Sequence, residues 1–127
     1  MSDRHLLIVD DEPDSAEVAA MMLASAHIAT TIVHDAYEAI TLLEAQPDGY
    51  RGVLVDLAMP GMDGFALLRQ LRAAATTAHL PLIATTAYHT PELRAQALKA
   101  GFNAYFPKPL DTSVFLGMLE RMLTRDA

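Results

Sequence analysis

The chain has no cysteine in its 127 residues, which removes disulfides, zinc–thiolate sites and cysteine nucleophiles together. Basic residues are scarce. Lys and Arg number 9 against 16 Asp and Glu, for a formal net charge of -7, and they do not cluster, which argues against a binder of nucleic-acid phosphates. Long hydrophobic runs are missing too: the longest, residues 18–26, contains Ser25 and falls far short of the roughly 20 residues of a membrane span. The opening Met1-Ser2-Asp3-Arg4-His5 lacks the basic n-region and long apolar stretch of a signal peptide. There is no internal repeat, low-complexity tract or linker. What is present is 52% hydrophobic and 20% charged, enough for one packed core and too apolar for a disordered chain. The expectation is a single acidic, soluble, cytoplasmic domain over residues 1–127, its core at about 5–124, with no direct nucleic-acid or membrane partner.

Short aliphatic or β-branched runs at 5–9, 28–33, 52–55, 81–85 and 104–106 alternate with segments of helical period at 14–26, 35–46, 65–75, 91–100 and 112–124. Each short run is apolar and followed by turn or cap residues, as a strand buried on both faces should be. In the first helical segment Val18, Met21, Met22 and Ser25 have the spacing of one buried stripe; Phe115, Met118, Leu119 and Met122 repeat it in the last. Asp35 and Asp111 precede helices, Pro91 sits in a first turn and Gly101 follows a last one. Five successive βα units predict an α/β fold, a doubly wound parallel sheet with five helices, and the flavodoxin-like strand order 2-1-3-4-5. In such a sheet the site lies beyond the carboxyl ends of the strands, at the switch point between strands 1 and 3.

Strand 1 runs into Asp10-Asp11-Glu12 and strand 3 into Asp56, so the predicted order brings several carboxylates to one crevice. At about 5 Å and an effective dielectric near 20, each pair repels by roughly 3 kcal/mol. A cation, a raised pKa or a functional reason must sustain that arrangement. Oxygen ligands without His or Cys suit a hard divalent ion, Mg²⁺ before Zn²⁺. The plainer alternative is that Asp11 or Asp14 caps the first helix and Asp56 merely ends a strand.

After Asp56, Pro60, Gly61 and Gly64 make a tight loop with Asp63 as a cap for the helix beyond it. Strand 4 ends in Thr85-Thr86-Ala87, where a lone hydroxyl is more often structural than functional, Thr being a common strand residue. Strand 5 leads into Pro107-Lys108-Pro109. The two prolines restrict the backbone around one of only two lysines, at the carboxyl end of a strand. An ammonium there either makes a plain salt bridge or neutralises the acidic cluster and holds a phosphoryl oxygen.

Taken in order, Asp10-Asp11 after strand 1, Asp56-x-x-Met59-Pro60-x-Met62-Asp63-Gly64 after strand 3, Thr86-Ala87 after strand 4 and Lys108-Pro109 after strand 5 resemble the receiver domain of two-component response regulators, the chemotaxis-type, stand-alone receiver included. The segment Ala97-Leu98-Lys99-Ala100-Gly101 leading to Tyr105 is similar to that family as well, and the resemblance spans about residues 5–124. It implies a phosphorylation-dependent signalling switch rather than an enzyme acting on other substrates. Asp56 would accept a phosphoryl group from a phosphohistidine on a sensor histidine kinase or histidine phosphotransfer protein, and the chain would otherwise catalyse only its own dephosphorylation. Asp10 and Asp11 match the acidic pair that holds Mg²⁺, with Asp56 and the backbone carbonyl of Ala58 completing the protein ligands. Thr86 matches the hydroxyl that closes on the phosphoryl group, Lys108 the lysine that pairs with its oxygens, and Tyr105 the aromatic residue that turns inward. The resemblance also implies a cis Lys108–Pro109 bond. The signal would emerge on the face of helix 4, strand 5 and helix 5, toward a downstream protein target, an output domain or a second copy in a homodimer.

Several positions depart from the usual pattern: Ala58 offers no polar side chain, Tyr88 is bulky enough to shield a phosphoryl group, Pro107 precedes Lys108, and Phe102 stands where a small residue is common. On the output face, His89, Glu92, Lys99 and Tyr105 are expected to be exposed around Phe102, and Leu116 and Leu123 to widen the stripe of helix 5. Two other readings remain. A receiver-like interaction module would work without phosphorylation, against which the intact acids and Lys108 stand. A Mg²⁺-dependent phosphohydrolase of the haloacid-dehalogenase kind would want an acid where Ala58 stands. A flavodoxin proper would need a phosphate-binding loop where Asp10-Asp11-Glu12-Pro13 would repel the flavin phosphate.

Overall fold

Strand β1 (His5–Val9) consists almost wholly of aliphatic residues because both its faces are covered. Successive side chains point to opposite sides, so Leu7 and Val9 enter one core and Leu6 and Ile8 the other. The same division runs through β3 (Gly52–Asp56), β4 (Leu82–Thr86) and β5 (Ala104–Pro107), while β2 (Ala29–Val33) is an edge strand with only Val33 buried. The structure, a computed structural model, describes residues 5–124. Within them five parallel strands lie in the order β2-β1-β3-β4-β5, as the alternation of elements predicts. None of the described helices is long and apolar enough to cross a membrane.

Helices α2 (Ala36–Ala45), α3 (Gly64–Ala73) and α4 (Pro91–Ala100) cover one face; α1 (Pro13–Ser25) and α5 (Thr112–Thr124) cover the other. Asp35 and Asp63 cap α2 and α3 by accepting the Glu38 and Ala66 amides, and Thr90 caps α4 through the Leu93 amide. Gly101, at φ 127°, ends α4 in a Schellman turn in which the Phe102 amide reaches the Ala97 carbonyl. In α5 the expected stripe holds: Phe115 and Leu119 are buried, Met118 and Met122 half-buried beside them, and Leu123 is buried too.

The stripe expected in α1 is wrong. Val18 is 50% and Met21 69% exposed and Ser25 is exposed; of the four, Met22 alone packs half-buried against the core. Ala16, Ala19 and Leu23 are the buried residues instead. Lying close over β1 and β2, α1 turns its small side chains inward, where longer ones would overpack.

Candidate functional site

The site lies where β1, β3 and β5 end. Asp10, just past β1, is buried, and its Oδ1 accepts the Glu12 amide at 3.0 Å. Asp56, the last residue of β3, is buried as well, and its Oδ1 accepts the Ala58 amide at 3.0 Å. The loop is drawn tight against Asp56 by Gly64, where a Cβ would stand 2.7 Å from the Asp56 carbonyl oxygen and 2.8 Å from Leu57 Cα. Asp11 is half-buried, and Asp10, Asp11 and Asp56 each offer a carboxylate oxygen within 4.8 Å of the others.

Neither Asp11 nor Asp14 caps α1. The N-cap residue is Glu12, without a side-chain cap bond, and Pro13 follows at the first turn, where the missing amide proton costs nothing.

Lys108 enters from the loop after β5, held by its amide on the Thr86 carbonyl at 2.8 Å. Its Nζ lies 2.9 Å from Asp10 Oδ2 and 3.4 Å from Asp56 Oδ2, so it bridges the two acids and leans toward Asp10. The Lys108–Pro109 bond is cis, as the resemblance implies.

One cation thus serves two buried carboxylates, and the pKa values separate accordingly. Burial pushes the Asp56 carboxyl up to about 6; the Ala58 amide and Lys108 pull against it, and the charge of Asp10 adds to the rise. Burial pushes Asp10 upward as well, but the Glu12 amide, Lys108 and Ser15 outweigh it and hold Asp10 below the usual carboxylate range. An octahedral Mg²⁺ spans about 4.2 Å between opposite ligands and takes oxygen donors, several of them water. Three carboxylates within 4.8 Å, with a net negative charge among them, fit such an ion.

Thr86 is buried at the end of β4, its Oγ1 accepting the Tyr88 amide at 3.0 Å. It lines an open cleft with Ala58, Met59, Phe65 and Tyr88. On the Lys108 side a cavity of about 230 Å³ opens between α1 and the β5–α5 loop, its wall including Val18, Met22, Pro109 and Leu110. Val18, misassigned to the core of α1, and the half-buried Met22 therefore line a space beside Asp10.

Tyr105, expected to be exposed around Phe102, is not. Both are buried, Phe102 edge-on to Phe65 with ring centroids 5.9 Å apart. His89, Glu92 and Lys99 are exposed as expected. Two histidine contacts go beyond the sequence reading, which left His34 unmarked and expected His89 only as an exposed residue. His34 donates from Nδ1 to the Asp10 carbonyl at 3.0 Å, and His89 Nδ1 lies 2.9 Å from the Tyr105 hydroxyl. Nothing in their local sequence marks either one, since their partners lie 24 and 16 residues away.

Comparison with known proteins agrees with this geometry. The response regulator receiver domain family matches residues 6–120. An uncharacterized 14.6 kDa protein of Leptolyngbya boryana is 36% identical over 95% of this chain and 91% of its own length. The two-component response regulator ORR12 of Oryza sativa subsp. japonica is 30% identical over 87% of this chain and 90% of its own. Among solved structures, a putative response regulator from Chloroflexus aurantiacus superimposes with a TM-score of 0.88 at 26% identity, covering 95% and 98% of the two chains. The receiver domain of the sensor histidine kinase PA1611 from Pseudomonas aeruginosa, with a magnesium ion coordinated in its active-site cleft, gives 0.85 at 31% identity over 97% and 99%. Sequence, fold and the placement of the acids converge: the chain belongs to the response regulator receiver domain family of two-component signalling.

Proposed function

We propose that this receiver takes a phosphoryl group onto Asp56 from a phosphohistidine of a sensor histidine kinase or a histidine phosphotransfer protein. The observation that carries the reading is the convergence of Asp10, Asp11 and Asp56 within 4.8 Å, with Lys108 reaching two of them. A carboxylate oxygen of Asp56 attacks phosphorus as the phosphorus–nitrogen bond breaks, and the donor imidazole leaves with the bonding pair. With its pKa near 6, Asp56 is ionised at neutral pH and ready to attack. Lys108, already 3.4 Å from Asp56, needs only a small shift from Asp10 to pair with a phosphoryl oxygen. Asp10, Asp11, Asp56 and the Ala58 carbonyl would hold Mg²⁺, which when bound offsets charge on the phosphoryl oxygens.

Thr86 stands at the end of the cleft next to Asp56, and Tyr105 lies beyond it on β5, so the pair supports a switch running from the site to the α4–β5–α5 face. The output is a contact with a protein target, an output domain or a second copy. Chemistry is confined to this chain's own Asp56, its labelling and its later hydrolysis. The test is incubation with a small phosphodonor and Mg²⁺, followed by mapping of the modified residue by mass spectrometry. A phosphoryl group on Asp56 alone is the expected result. Labelling elsewhere, or none with any donor, overturns the assignment.

A further inference from the structure

The cavity of about 230 Å³ between α1 and the β5–α5 loop is walled mostly by hydrocarbon. Ile8 and Leu54 reach it from the sheet, Val18, Ala19 and Met22 from α1, and Leu110 from the loop. Ala19, which α1 buries, is too small to fill the space between its longer neighbours Val18 and Met22. Val18 is half exposed, so the space opens to solvent along that rim. An apolar cavity of about 150 Å³ already accepts a benzene ring. This one has room for a ring and a short arm.

Two charged side chains, Asp10 and Lys108, also reach the wall, and they differ in what they offer a ligand. The Lys108 ammonium is taken up by two carboxylates, 2.9 Å from Asp10 and 3.4 Å from Asp56. Asp10 accepts from Lys108, from the Glu12 amide and from Ser15. A carboxylate has about four lone-pair sites, which leaves Asp10 room for one more donor. An anion entering the cavity meets two acids behind a single shared cation, whereas a cation meets the same charges with the sign in its favour.

We propose that this cavity is a binding site for a small apolar amine, its hydrocarbon part against Val18, Met22, Ile8 and Leu54 and its ammonium on Asp10. A ligand held there stands against Asp10 and Lys108, which makes the cavity a small-molecule input to the phosphorylation site. As an input it rests on the phosphoacceptor reading; as a binding site it does not. Its test therefore contains chelator and no phosphodonor, so that the failure of one reading leaves the other standing.

Phenethylamine, phenethyl alcohol and phenylacetate share a ring and a short arm and differ in charge. Each is titrated into the full chain at neutral pH and followed by backbone amide shifts. The amine should move the amides of Val18, Met22 and Leu110 and bind about five-fold more tightly than the alcohol, the margin of a charge-assisted over a neutral hydrogen bond. The acid should bind most weakly. Val18→Lys sets a second ammonium at the rim, at a half-exposed position, and should weaken the amine about five-fold. Met21→Lys adds the same charge to the same helix outside the cavity, at a residue 69% exposed, and should leave the affinity within about two-fold. The ligand series on the parent decides the matter even where a variant folds poorly. No saturable shift with the amine, an alcohol or acid that binds as tightly, or shifts centred on the cleft at Thr86 and Tyr88 overturns the site. An equal loss in the two lysine variants overturns it as well.

Discussion

At the amino-terminal edge of the sheet Arg72 gives hydrogen bonds to four oxygens: the carbonyls of Ala78, Leu80 and Gly101 and the side chain of Asn103, at 2.7 to 3.1 Å. At the carboxyl-terminal edge one ammonium faces two buried carboxylates, with a third close by. The first edge satisfies its charge and ties α3, the lead into β4 and the α4–β5 turn into one knot, which Asn103 completes by accepting the Leu82 amide. The second leaves charge unbalanced and holds Asp56 near a pKa of 6. The same sheet is stitched at one end and left short of a cation at the other. Binding and chemistry belong where electrostatic satisfaction has been withheld.

Four measurements sharpen or break that comparison. The largest effect is expected at the nucleophile. Asp56→Asn keeps size and the bond to the Ala58 amide but removes the attacking carboxylate, so labelling by a phosphodonor should vanish while the melting point holds or rises. Labelling at the parental level in this variant would refute the role of Asp56. Arg72→Ala is the matching cut at the other edge. Losing a charged donor to several oxygens should cost about 3 kcal/mol, seen as a lower denaturation midpoint, with the Mg²⁺ affinity intact. Arg72→Lys should recover only part of this, because an ammonium cannot fork toward four acceptors. A large drop in Mg²⁺ affinity in either variant would mean that the two edges are not separable.

The third measurement is pH. Burial raises the Asp56 pKa to about 6 from the ordinary aspartate value of 3.8, so the folded protein binds its proton more tightly than the unfolded chain does. The resulting stability is fully present below about pH 4 and is lost as pH rises through about 6, a fall of roughly 2–3 kcal/mol in metal-free buffer. Asp10, whose pKa is lowered, acts in the opposite sense and below that window: its contribution is lost only as pH falls beneath the ordinary carboxylate range. Urea denaturation at pH 4.5 and 7.5 should therefore show the parent losing stability as pH rises, and Asp56→Asn losing little. A parent equally stable at both values would mean that burial is not what perturbs Asp56.

The residues read correctly from sequence are those whose roles are local or follow from strand order. The aliphatic runs, the caps at Asp35 and Asp63, and the convergence of Asp10, Asp11 and Asp56 are of this kind. Val18 and Met21 misled because hydrophobicity favours large side chains in the core, whereas α1 lies close to the sheet and buries alanines. The contacts of Tyr105, His89, His34 and Arg72 were out of reach for another reason. Apart from the Ala78 and Leu80 carbonyls on Arg72, the partners lie 16 to 31 residues away, and a single long-range hydrogen bond leaves no periodicity to read.

The smallest expected effect bears most directly on the acidic edge. Removing the charge of Asp11 relieves part of the repulsion among the three acids, less than the bare pair energy because Asp11 is half-exposed and Lys108 already offsets Asp10. No cap is lost with it, since α1 begins at Glu12 without a side-chain cap bond. Asp11→Ala should therefore melt slightly above the parent in chelator. With Mg²⁺ at about ten times its dissociation constant, the parent should gain roughly 1.4 kcal/mol, or about 5 °C in the melting midpoint for a domain of this size. The variant should lose most of that gain, so Mg²⁺ reverses the order of the two proteins. Thermal melts of both chains, with Mg²⁺ and with chelator, read the reversal directly. If the parent gains nothing from Mg²⁺ and the variant is no more stable without it, the three carboxylates do not share an ion, and the unbalanced edge has some other cause than metal binding.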